Sequence, residues 1–359
     1  MSYTISEIAT PTTLAEPSQA ADDFREMVGV RNAIEADVVG NRDLGFEPDE
    51  LLPMWNDPFE PKRLFVARVD GAIVGRGIYE VTRDDDTPEA WLSVEVLPEF
   101  RRQGIGTALL ARAEAAAREG ARTTLQGYFL TRSDVPGERL PSPTGFGSVP
   151  LDNESTRFAL KHGYVLEQVE RFSRLELPVA EELLDEQLAA ATSAAGDDYR
   201  LVLWQGRTPE NRLDDIALLS TRMSTDAPSA GLDVTEDVWD ADRVRASDDR
   251  HESSPRISLV AAAEYVPTGA LVAFTELSVP REENRPVSQE DTLVLKEHRG
   301  HRLGMLVKVG NLIQLRETYP GRPSVVTFNA EENRHMLSVN EDVGFVAVGY
   351  EGAWQKRLS

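Results

Sequence analysis

The sequence predicts an α/β (α+β) protein made of two tandem domains, each with a mixed, mostly antiparallel sheet flanked by helices. The chain has 359 residues, more than one hydrophobic core usually organises. One order of elements occurs twice: strand, glycine-bearing turn, helix, strand, helix and closing strands. In each half a strand pair joined by a short turn precedes the glycine-bearing turn, which favours antiparallel pairing over a run of βαβ units.

The elements of the first half follow from apolar spacing and turn residues. Helical spacing predicts a helix over about 22–36, and Asp70-Gly71 is typical of a hairpin turn between two strands. Pro178 ends the half. The other predicted elements are strands 63–69, 72–79 and 90–97, a helix to about 119, strand 123–129, a long loop 131–150, helix 153–162 and strands within 164–177.

The second half repeats this order after an acidic, alanine-rich helix at 181–195. Its strand pair crosses Pro267-Thr268-Gly269, and its third strand enters the turn 297–304. The other predicted elements are helix 213–222, strands 256–265, 270–279 and 292–295, helix 305–318, strand 324–328, helix 332–342 and strands within 345–358. The predicted organisation is therefore a flexible lead-in (1–20), a first domain (21–178), a connector (179–197) and a second domain (198–359).

Composition excludes several classes of function. The formal net charge of −23 repels nucleic acid and anionic lipid and favours cationic partners such as amines. The absence of cysteine excludes disulfides, thiolate metal sites and cysteine nucleophiles. Apolar runs are too short to cross a bilayer, and the N-terminus lacks the pattern of a secretory signal. We therefore expect a cytoplasmic monomer or homodimer that contacts neither nucleic acid nor membrane.

Each glycine-bearing turn is a candidate phosphate site. In the first half, Arg101-x-x-Gly104-x-Gly106 follows a strand and opens a helix. Backbone N–H groups at such a helix N-terminus carry partial positive charge, and glycine lets a phosphate approach closely. A P-loop would need lysine before Thr107, and Gly106 stands there instead. His298, His301 and His335 have no further ligands grouped with them, so no metal site is predicted.

These residues resemble a known family. The run from Val94 and Val96 through Pro98 to Gly106 looks like the acetyl-CoA-binding motif of the GNAT (GCN5-related N-acetyltransferase) family. The segment 292–304 looks like a second copy, and Gly163-Tyr164 and Gly344-Phe345 resemble the ends of the two partner helices. Over residues 20–359 the chain resembles the two-domain acetyltransferases of actinobacteria, a group that includes mycothiol synthase. The resemblance implies that each sheet has a central parallel pair splayed around CoA.

The resemblance also implies the cofactor-binding residues. In the first half they are Val96, Arg101, Gln103, Gly104, Ile105, Gly106 and Thr107. In the second half they are Val294, Arg299, Gly300, His301, Arg302, Leu303, Gly304, Asn329, Asn333 and Met336.

Two departures from the family pattern stand out. Arg302 occupies the place of the first glycine of the second turn, where its guanidinium either helps to hold phosphate or impairs the site. Ala159 and Asn340 occupy the place of the family's tyrosine general acid, so the leaving group must be protonated from elsewhere.

Amine acetylation needs a base that removes a proton from the ammonium before attack. Strand alternation makes Glu290 reachable on the strand that enters the second turn, Asp291 becomes reachable if a bulge shifts the register, and Glu276 on the preceding strand is a third candidate. In the first half Glu89 and Glu95 have the wrong parity, which favours catalysis in the second half.

The predicted function is acetyl-CoA-dependent N-acetyl transfer to the primary amine of a small molecule, without a metal. Two alternatives remain open: a protein or peptide N-acetyltransferase, and a catalytically silent CoA-binding protein. A peptide would need an open groove, and the missing tyrosines and Arg302 support the silent alternative.

Overall fold

The chain, analysed as a computed structural model, is described over residues 2–82, 87–131 and 135–358. It divides into two compact units. The first unit comprises residues 1–170, 229–235 and 349–359, and the second comprises residues 171–228 and 236–348. Each unit has a mixed sheet flanked by helices, as the sequence predicts.

The first unit follows the predicted element order closely. Its first five strands lie in sequence order and are followed by the end of the last strand of the chain, β14 (Val346–Arg357). Among these described neighbours, only the fourth and fifth strands pair in parallel. The elements are β1 (Thr4–Ile8), α1 (Gln19–Val39), α2 (Pro48–Trp55), β2 (Lys62–Val69), β3 (Ala72–Glu80), β4 (Glu89–Val96), α3 (Ile105–Glu119), β5 (Thr124–Thr131), β6 (Arg139–Pro141), β7 (Ser148–Pro150), α4 (Glu154–Lys161) and the start of β8 (Val165–Glu176).

The second unit repeats this order, with an additional helix before its first strand and, among the described residues, no counterpart of the hairpin of β6 and β7. From the end of β8 its strands lie in the order β8-β13-β12-β11-β10-β9, and β12 and β13 form its parallel pair. The elements are α5 (Glu181–Ala195), β9 (Tyr199–Gln205), α6 (Leu213–Asp226), α7 (Ala241–Ser253), β10 (Ile257–Tyr265), β11 (Ala270–Val279), β12 (Val287–Val294), α8 (Leu303–Thr318), β13 (Ser324–Ala330), α9 (Arg334–Val343) and the start of β14 (Val346–Arg357).

Apolar clusters cover both faces of each sheet. In the first unit, α3 packs on one face around Leu109 and Leu125, and α1 and α2 pack on the other around Phe24 and Trp55. In the second unit, α5, α8 and α9 share one cluster, while α6 and α7 cover the opposite face. Each parallel pair therefore lies in the middle of three layers, and its open end is the place where a ligand can enter the sheet.

The two compact units include three segments that the predicted domain bounds place elsewhere. Residues Thr4–Ile8 of the predicted lead-in form β1, because Ile5 and Ile8 pack against the apolar clusters of the first unit. The predicted connector contributes α5 to the second unit, where Leu184 and Ala191 are buried. The last eleven residues, 349–359, belong to the first unit because β14 pairs antiparallel with β5, from Tyr350 opposite Thr131 to Arg357 opposite Thr124.

The loop predicted over 131–150 contains a short hairpin of β6 and β7, and its residues 132–134 lie outside the described part of the chain. Within the described ranges, no helix combines the length and the apolar character that crossing a bilayer requires.

Candidate cofactor and acceptor sites

The glycine-bearing turn of the first unit joins β4 to α3. Arg102 and Gly104 have left-handed backbones with φ of 62° and 87°, and Gly104 is the N-cap of α3. Glycine adopts this conformation without the cost of about 1–2 kcal/mol that a side chain brings. The first amides of α3 have no acceptor inside the helix, so they present partial positive charge to the space in front of it. The turn can therefore hold a diphosphate.

A cavity opens where the parallel strands of the first unit diverge. The register of β4 and β5 reaches Trp91 and Gln126, although β4 continues to Val96 and β5 to Thr131. Beside these extended ends lies a cavity of about 580 Å³, called the α3–α4 groove below. Its lining comprises Val94, Val96, Arg101, Arg102, Gly104, Gly106, Thr107, Phe129, Glu154, Ser155, Arg157, Phe158 and Lys161.

Four cationic side chains line the α3–α4 groove: Arg101, Arg102, Arg157 and Lys161. Arg101 is fixed in place because its Nε donates to the carbonyl oxygen of Val96 at 3.0 Å. A cationic groove is notable in a chain of net charge −23 and matches a ligand that carries several phosphates. The residues present therefore fit the phosphates of CoA, with the glycine turn for the diphosphate.

A second cavity of about 510 Å³ adjoins the groove and shares Val94, Val96 and Phe129 with it. We call it the acidic cavity, and residues from the last turns of α1 form part of its lining. Its lining includes six carboxyl side chains, from Glu35, Asp37, Glu95, Asp152, Glu154 and Glu351, and one guanidinium, from Arg101. The charge of the two cavities is therefore opposite, cationic on the α3 side and acidic on the α1 side.

The turn of the second unit reproduces the geometry of the first. Arg299 Nε donates to the Val294 carbonyl at 3.1 Å, as Arg101 does to Val96. Arg302 is the N-cap of α8 and has φ of 54°, so a side chain occupies the left-handed position that Gly104 fills in the first unit. A Cβ added at Gly304 would lie 3.8 Å from the nearest heavy atom, on Val294, so the backbone there is open to a close approach.

Three carboxylates meet at a β-bulge in the second unit. The register of β11 and β12 shifts between Thr275 opposite Thr292 and Leu277 opposite Gln289, so that Glu290 and Asp291 both oppose Glu276. The Glu276 carboxylate accepts a hydrogen bond of 2.6 Å from Ser258.

Gln289 holds this bulge in place. Its side-chain Nε2 donates to the carbonyl oxygen of Glu276 at 2.7 Å and to Thr275 Oγ1 at 2.9 Å. The parallel register with β13 covers Val287 and Ser288, so the bulge lies where β12 has left its parallel partner. The three carboxylates therefore stand at the open end of the splayed pair.

The bulge carboxyls have raised pKa values. Burial raises the pKa of Glu290 to about 7, the charge of Glu276 adds to the shift, and Arg256 opposes it. Burial and the charge of Glu276 raise the pKa of Asp291 to about 6. Both residues are exposed, so their carboxyl groups are accessible to a ligand. A carboxyl with a pKa near neutrality is suited to proton transfer.

The structure brings together most of the predicted cofactor residues of the first unit. Val96, Arg101, Gly104, Gly106 and Thr107 line the α3–α4 groove. Ile105 is buried in the core, and Gln103 is exposed, with its side chain donating to the Glu99 carbonyl. These two are therefore placed beside the groove and do not line it.

In the second unit, the predicted asparagines flank α9. Asn333 is its N-cap and accepts from the amide of Met336 at 3.2 Å, and Asn340 donates to Asn329 at 2.7 Å. Leu303 is buried in the core, while His301 is exposed and lies 5.1 Å from the Tyr199 ring. Asn340 is buried, with 1% of its surface exposed, and its side-chain amide is hydrogen-bonded to Asn329.

Sequence reasoning missed several residues that line the first-unit cavities. Arg157 and Lys161 lie four residues apart on α4, a spacing that places two cations on one helix face. Strand alternation argued against Glu95 as a base, whereas in the structure it lines the acidic cavity. Glu35 and Glu351 are separated by most of the chain, and no local pattern links them.

Each unit has a central parallel pair splayed beside a phosphate-binding turn, which is the architecture that the resemblance to the GNAT family implies. Comparison with known proteins agrees, since residues 33–129 match the model of the Acetyltransferase (GNAT) family. Residues 33–129 are thus similar to a GNAT acetyltransferase domain, and the whole chain shares the fold of a tandem GNAT protein.

Solved structures share this architecture over the whole chain. A tandem GNAT protein from the clavulanic acid biosynthesis pathway has 23% identity and a TM-score of 0.74, with 99% of this chain and 98% of that chain covered. A GCN5-related N-acetyltransferase from Sphaerobacter thermophilus has 14% identity and a TM-score of 0.62, with 99% and 95% covered.

A third structure is larger than this chain. The glucosamine N-acetyltransferase region of a fungal multi-domain β-N-acetylglucosaminidase has 14% identity and a TM-score of 0.60, with 99% of this chain and 38% of that chain covered. A search of curated proteins gave no match. The more specific resemblance to mycothiol synthase stays a prediction.

Proposed function

We propose that the protein is an acetyl-CoA-dependent N-acetyltransferase that acts on the primary amine of a small molecule, with the chemistry in the second unit. The observation that carries the proposal is the bulge of β12, which groups Glu276, Glu290 and Asp291 at the open end of the splayed pair. The α3–α4 groove of the first unit and the turn of the second are proposed to hold one CoA each.

Glu290 is the proposed base. An ammonium must lose a proton before its nitrogen can attack, and a carboxyl whose pKa is raised to about 7 can accept that proton at neutral pH. Glu276 keeps the Glu290 pKa high through its charge, and Gln289 fixes the backbone that carries both groups. Asp291, with a pKa of about 6, is the second candidate on the same bulge.

Acetyl-CoA, when bound, supplies the activated acetyl group. The first turn of α8 and Arg299 would hold its phosphates, and the backbone at Gly304 leaves room for them. Asn340 cannot replace the tyrosine as general acid, because a carboxamide N–H is too weak an acid to protonate the leaving sulfur. Solvent is the proposed source of that proton. The nitrogen loses two protons in all. Glu290 takes the first before attack, the second passes to water as the amide forms, and water returns one proton to the thiolate.

A small cationic substrate fits the charge of the protein better than a peptide does. The net charge of −23 attracts amines as they approach. The competing, catalytically silent function draws support from Arg302 and from Asn340 in place of a tyrosine.

The experiment measures thiol release from acetyl-CoA with a thiol-reactive dye, a clean readout because the chain has no cysteine. A panel of small mono- and polyamines and of short peptides is compared with acetyl-CoA alone. We expect amine-dependent release that falls in Glu290→Gln. Release with peptides alone would establish the peptide function, and binding of CoA without release in any mixture would establish the silent one.

A further inference from the structure

A buried polar network lies behind the β-bulge of the second unit, and Thr275 is at its centre. The Thr275 hydroxyl accepts from the side chain of Gln289 and lies 2.6 Å from the hydroxyl of Thr292. The Thr275 carbonyl oxygen accepts from the side chain of Asn311, on α8. We propose that Asn311 is a positioning residue for acetyl transfer in the second unit, because it holds the bulge that presents Glu290. The proposal rests on the function proposed above and concerns a residue that acts through the bulge.

Asn311 connects one helix to two strands. Its Nδ2 donates to the carbonyl oxygen of Leu259 on β10 at 2.8 Å and, in a longer contact of 3.4 Å, to that of Thr275 on β11. The opposite orientation of the amide would set its oxygen against two carbonyl oxygens, so only this orientation makes hydrogen bonds. Asn311 is fully buried, and its Oδ1 has no partner among the described residues. The amide is therefore present at a cost in free energy that an apolar side chain would avoid.

The first repeat has neither this amide nor the bulge. Asn311 is the ninth residue of α8, and the ninth residue of α3 is Ala113, which is also buried. In the first unit β3 pairs with β4 over residues 75–80 without a shift of register. The asparagine thus occurs in the repeat that has a bulge to hold, and alanine suffices in the other.

The helix that carries Asn311 begins at the phosphate turn of the second unit. Arg302 is the N-cap of α8, and residues 303–312 are all buried. Asn311 lies about 13 Å further along the axis, at the usual rise of ~1.5 Å per residue. A helix that is close-packed on all sides moves only together with its neighbours. Asn311 therefore fixes the bulge relative to the turn that is proposed to hold CoA.

Glu290 faces three other charged side chains, on or beside the strands of the bulge. Burial and the charge of Glu276 on β11 raise the pKa of Glu290 to about 7, Arg256 before β10 opposes the shift, and Asp291 on β12 adds to it. A bulge that is no longer held lets Glu290 and Glu276 separate. The pKa of Glu290 then falls toward its ordinary value.

Gln314 provides a matched control one turn further along α8. Its Nε2 donates to the carbonyl oxygen of Trp204 at 3.1 Å, and its Oε1 is likewise buried without a partner in the described part of the chain. Trp204 lies on β9, and β10 separates β9 from β11 in the sheet. Loss of the Gln314 amide therefore removes the same kind of hydrogen bond from the same helix and leaves the bulge in place.

Carbon-13 NMR of the full-length, glutamate-labelled protein measures the titration of the Glu290 carboxyl, whose resonance is identified by its absence in Glu290→Gln. We expect the pKa of Glu290 to fall from about 7 toward its ordinary value in Asn311→Leu and to keep its wild-type value in Gln314→Leu. With acetyl-CoA and the panel of small amines, kcat for thiol release should fall about tenfold or more in Asn311→Leu, while KM for acetyl-CoA changes by less than about threefold. Gln314→Leu should keep both constants.

Urea denaturation checks that each variant folds, and Asn311→Ala, which matches the first repeat, serves if Asn311→Leu does not fold. The NMR titration needs no turnover, so it tests whether Asn311 holds the bulge even if no amine is acetylated, and failure here is distinguishable from failure of the proposed function. A wild-type titration of Glu290 in both Asn311 variants, an equal change in Gln314→Leu, or a raised KM for acetyl-CoA with unchanged kcat would each overturn the proposal.

Discussion

Gly104 and Arg302 occupy the same position in the two repeats, and both have left-handed backbones, with φ of 87° and 54°. Each is the N-cap of the helix that follows its turn. The turn therefore requires a left-handed backbone at this position, and arginine adopts that conformation at a cost in free energy that glycine avoids.

Exchanging these residues should have opposite effects on stability. Arg302→Gly should raise the free energy of unfolding by up to about 1 kcal/mol, because it relieves the left-handed side chain and loses only the exposed contact of Arg302 with Gln187. Gly104→Arg should lower it by about 1–2 kcal/mol for the same reason. Urea denaturation of both variants measures the effects, and destabilisation by Arg302→Gly would show that the guanidinium contributes more than the backbone costs.

The sequence predicted the repeated turns because their chemistry is local. A glycine at a left-handed N-cap leaves a signature within six residues, and Arg101 and Arg299 stand at matching distances before their helices. The bulge at Glu290 and Asp291 was one of two registers that alternation allowed, and only the pairing with β11 decides between them.

The partner of β14 could not be predicted in this way. Alternation indicates that 346–357 is a strand, but it does not indicate which sheet edge the strand joins. For the same reason Glu351 could not be assigned to the cavity that also contains Glu35. Local pattern thus predicted the phosphate turns, while long-range strand pairing determined the acidic cavity.

Glu290→Gln should reduce kcat/KM for acetyl transfer by about 10²–10⁴-fold, the usual contribution of a positioned base. In the wild type, the rate should rise with pH through about 7, because the base must be deprotonated and its pKa is raised to that value. Rates of thiol release between about pH 5 and pH 9 measure both effects. A Glu290→Gln variant with the wild-type rate and pH profile would remove Glu290 from the mechanism.

Glu276→Gln should move the acidic limb of the pH profile to lower pH, because it removes a negative charge that raises the pKa of Glu290. The maximal rate should change less than it does in Glu290→Gln. An unchanged limb, or one displaced to higher pH, would contradict the electrostatic role of Glu276.

Gln289→Leu should lower the free energy of unfolding by about 1–3 kcal/mol, since it leaves the carbonyl of Glu276 and the Thr275 hydroxyl without the buried amide that now donates to them. It should also lower the rate of acetyl transfer, because the hydrogen bonds that fix the backbone of the bulge would be lost. Chemical denaturation is compared with the exposed variant Gln103→Leu, which should change stability by less than about 0.5 kcal/mol. Equal effects of the two substitutions would show that Gln289 does not hold the bulge.

Gly106→Val should remove CoA binding from the first unit. An added Cβ at this position would lie 3.3 Å from the Phe158 ring, so a larger side chain projects into the α3–α4 groove. Calorimetric titration with CoA should show one site fewer than in the wild type. The control is Gly29→Ala, where the added carbon meets nothing within 4 Å, and it should keep the wild-type stoichiometry.

Lys308 gives the last prediction, because it places an ammonium in the core of the second unit. It is 1% exposed and lies 5.7 Å from the Phe345 ring, and burial lowers its pKa from 10.5 to about 7. The folded state therefore binds fewer protons than the unfolded state between about pH 7 and pH 10.5, so this group makes stability rise with pH over that range. Below about pH 7 the full cost of the buried charge remains.

Lys308→Met keeps much of the side-chain volume and removes the charge, so it should stabilise the protein more at about pH 6 than at about pH 10. Urea denaturation at the two pH values measures the difference, and a gain that does not depend on pH would show that Lys308 does not change its protonation in the folded protein.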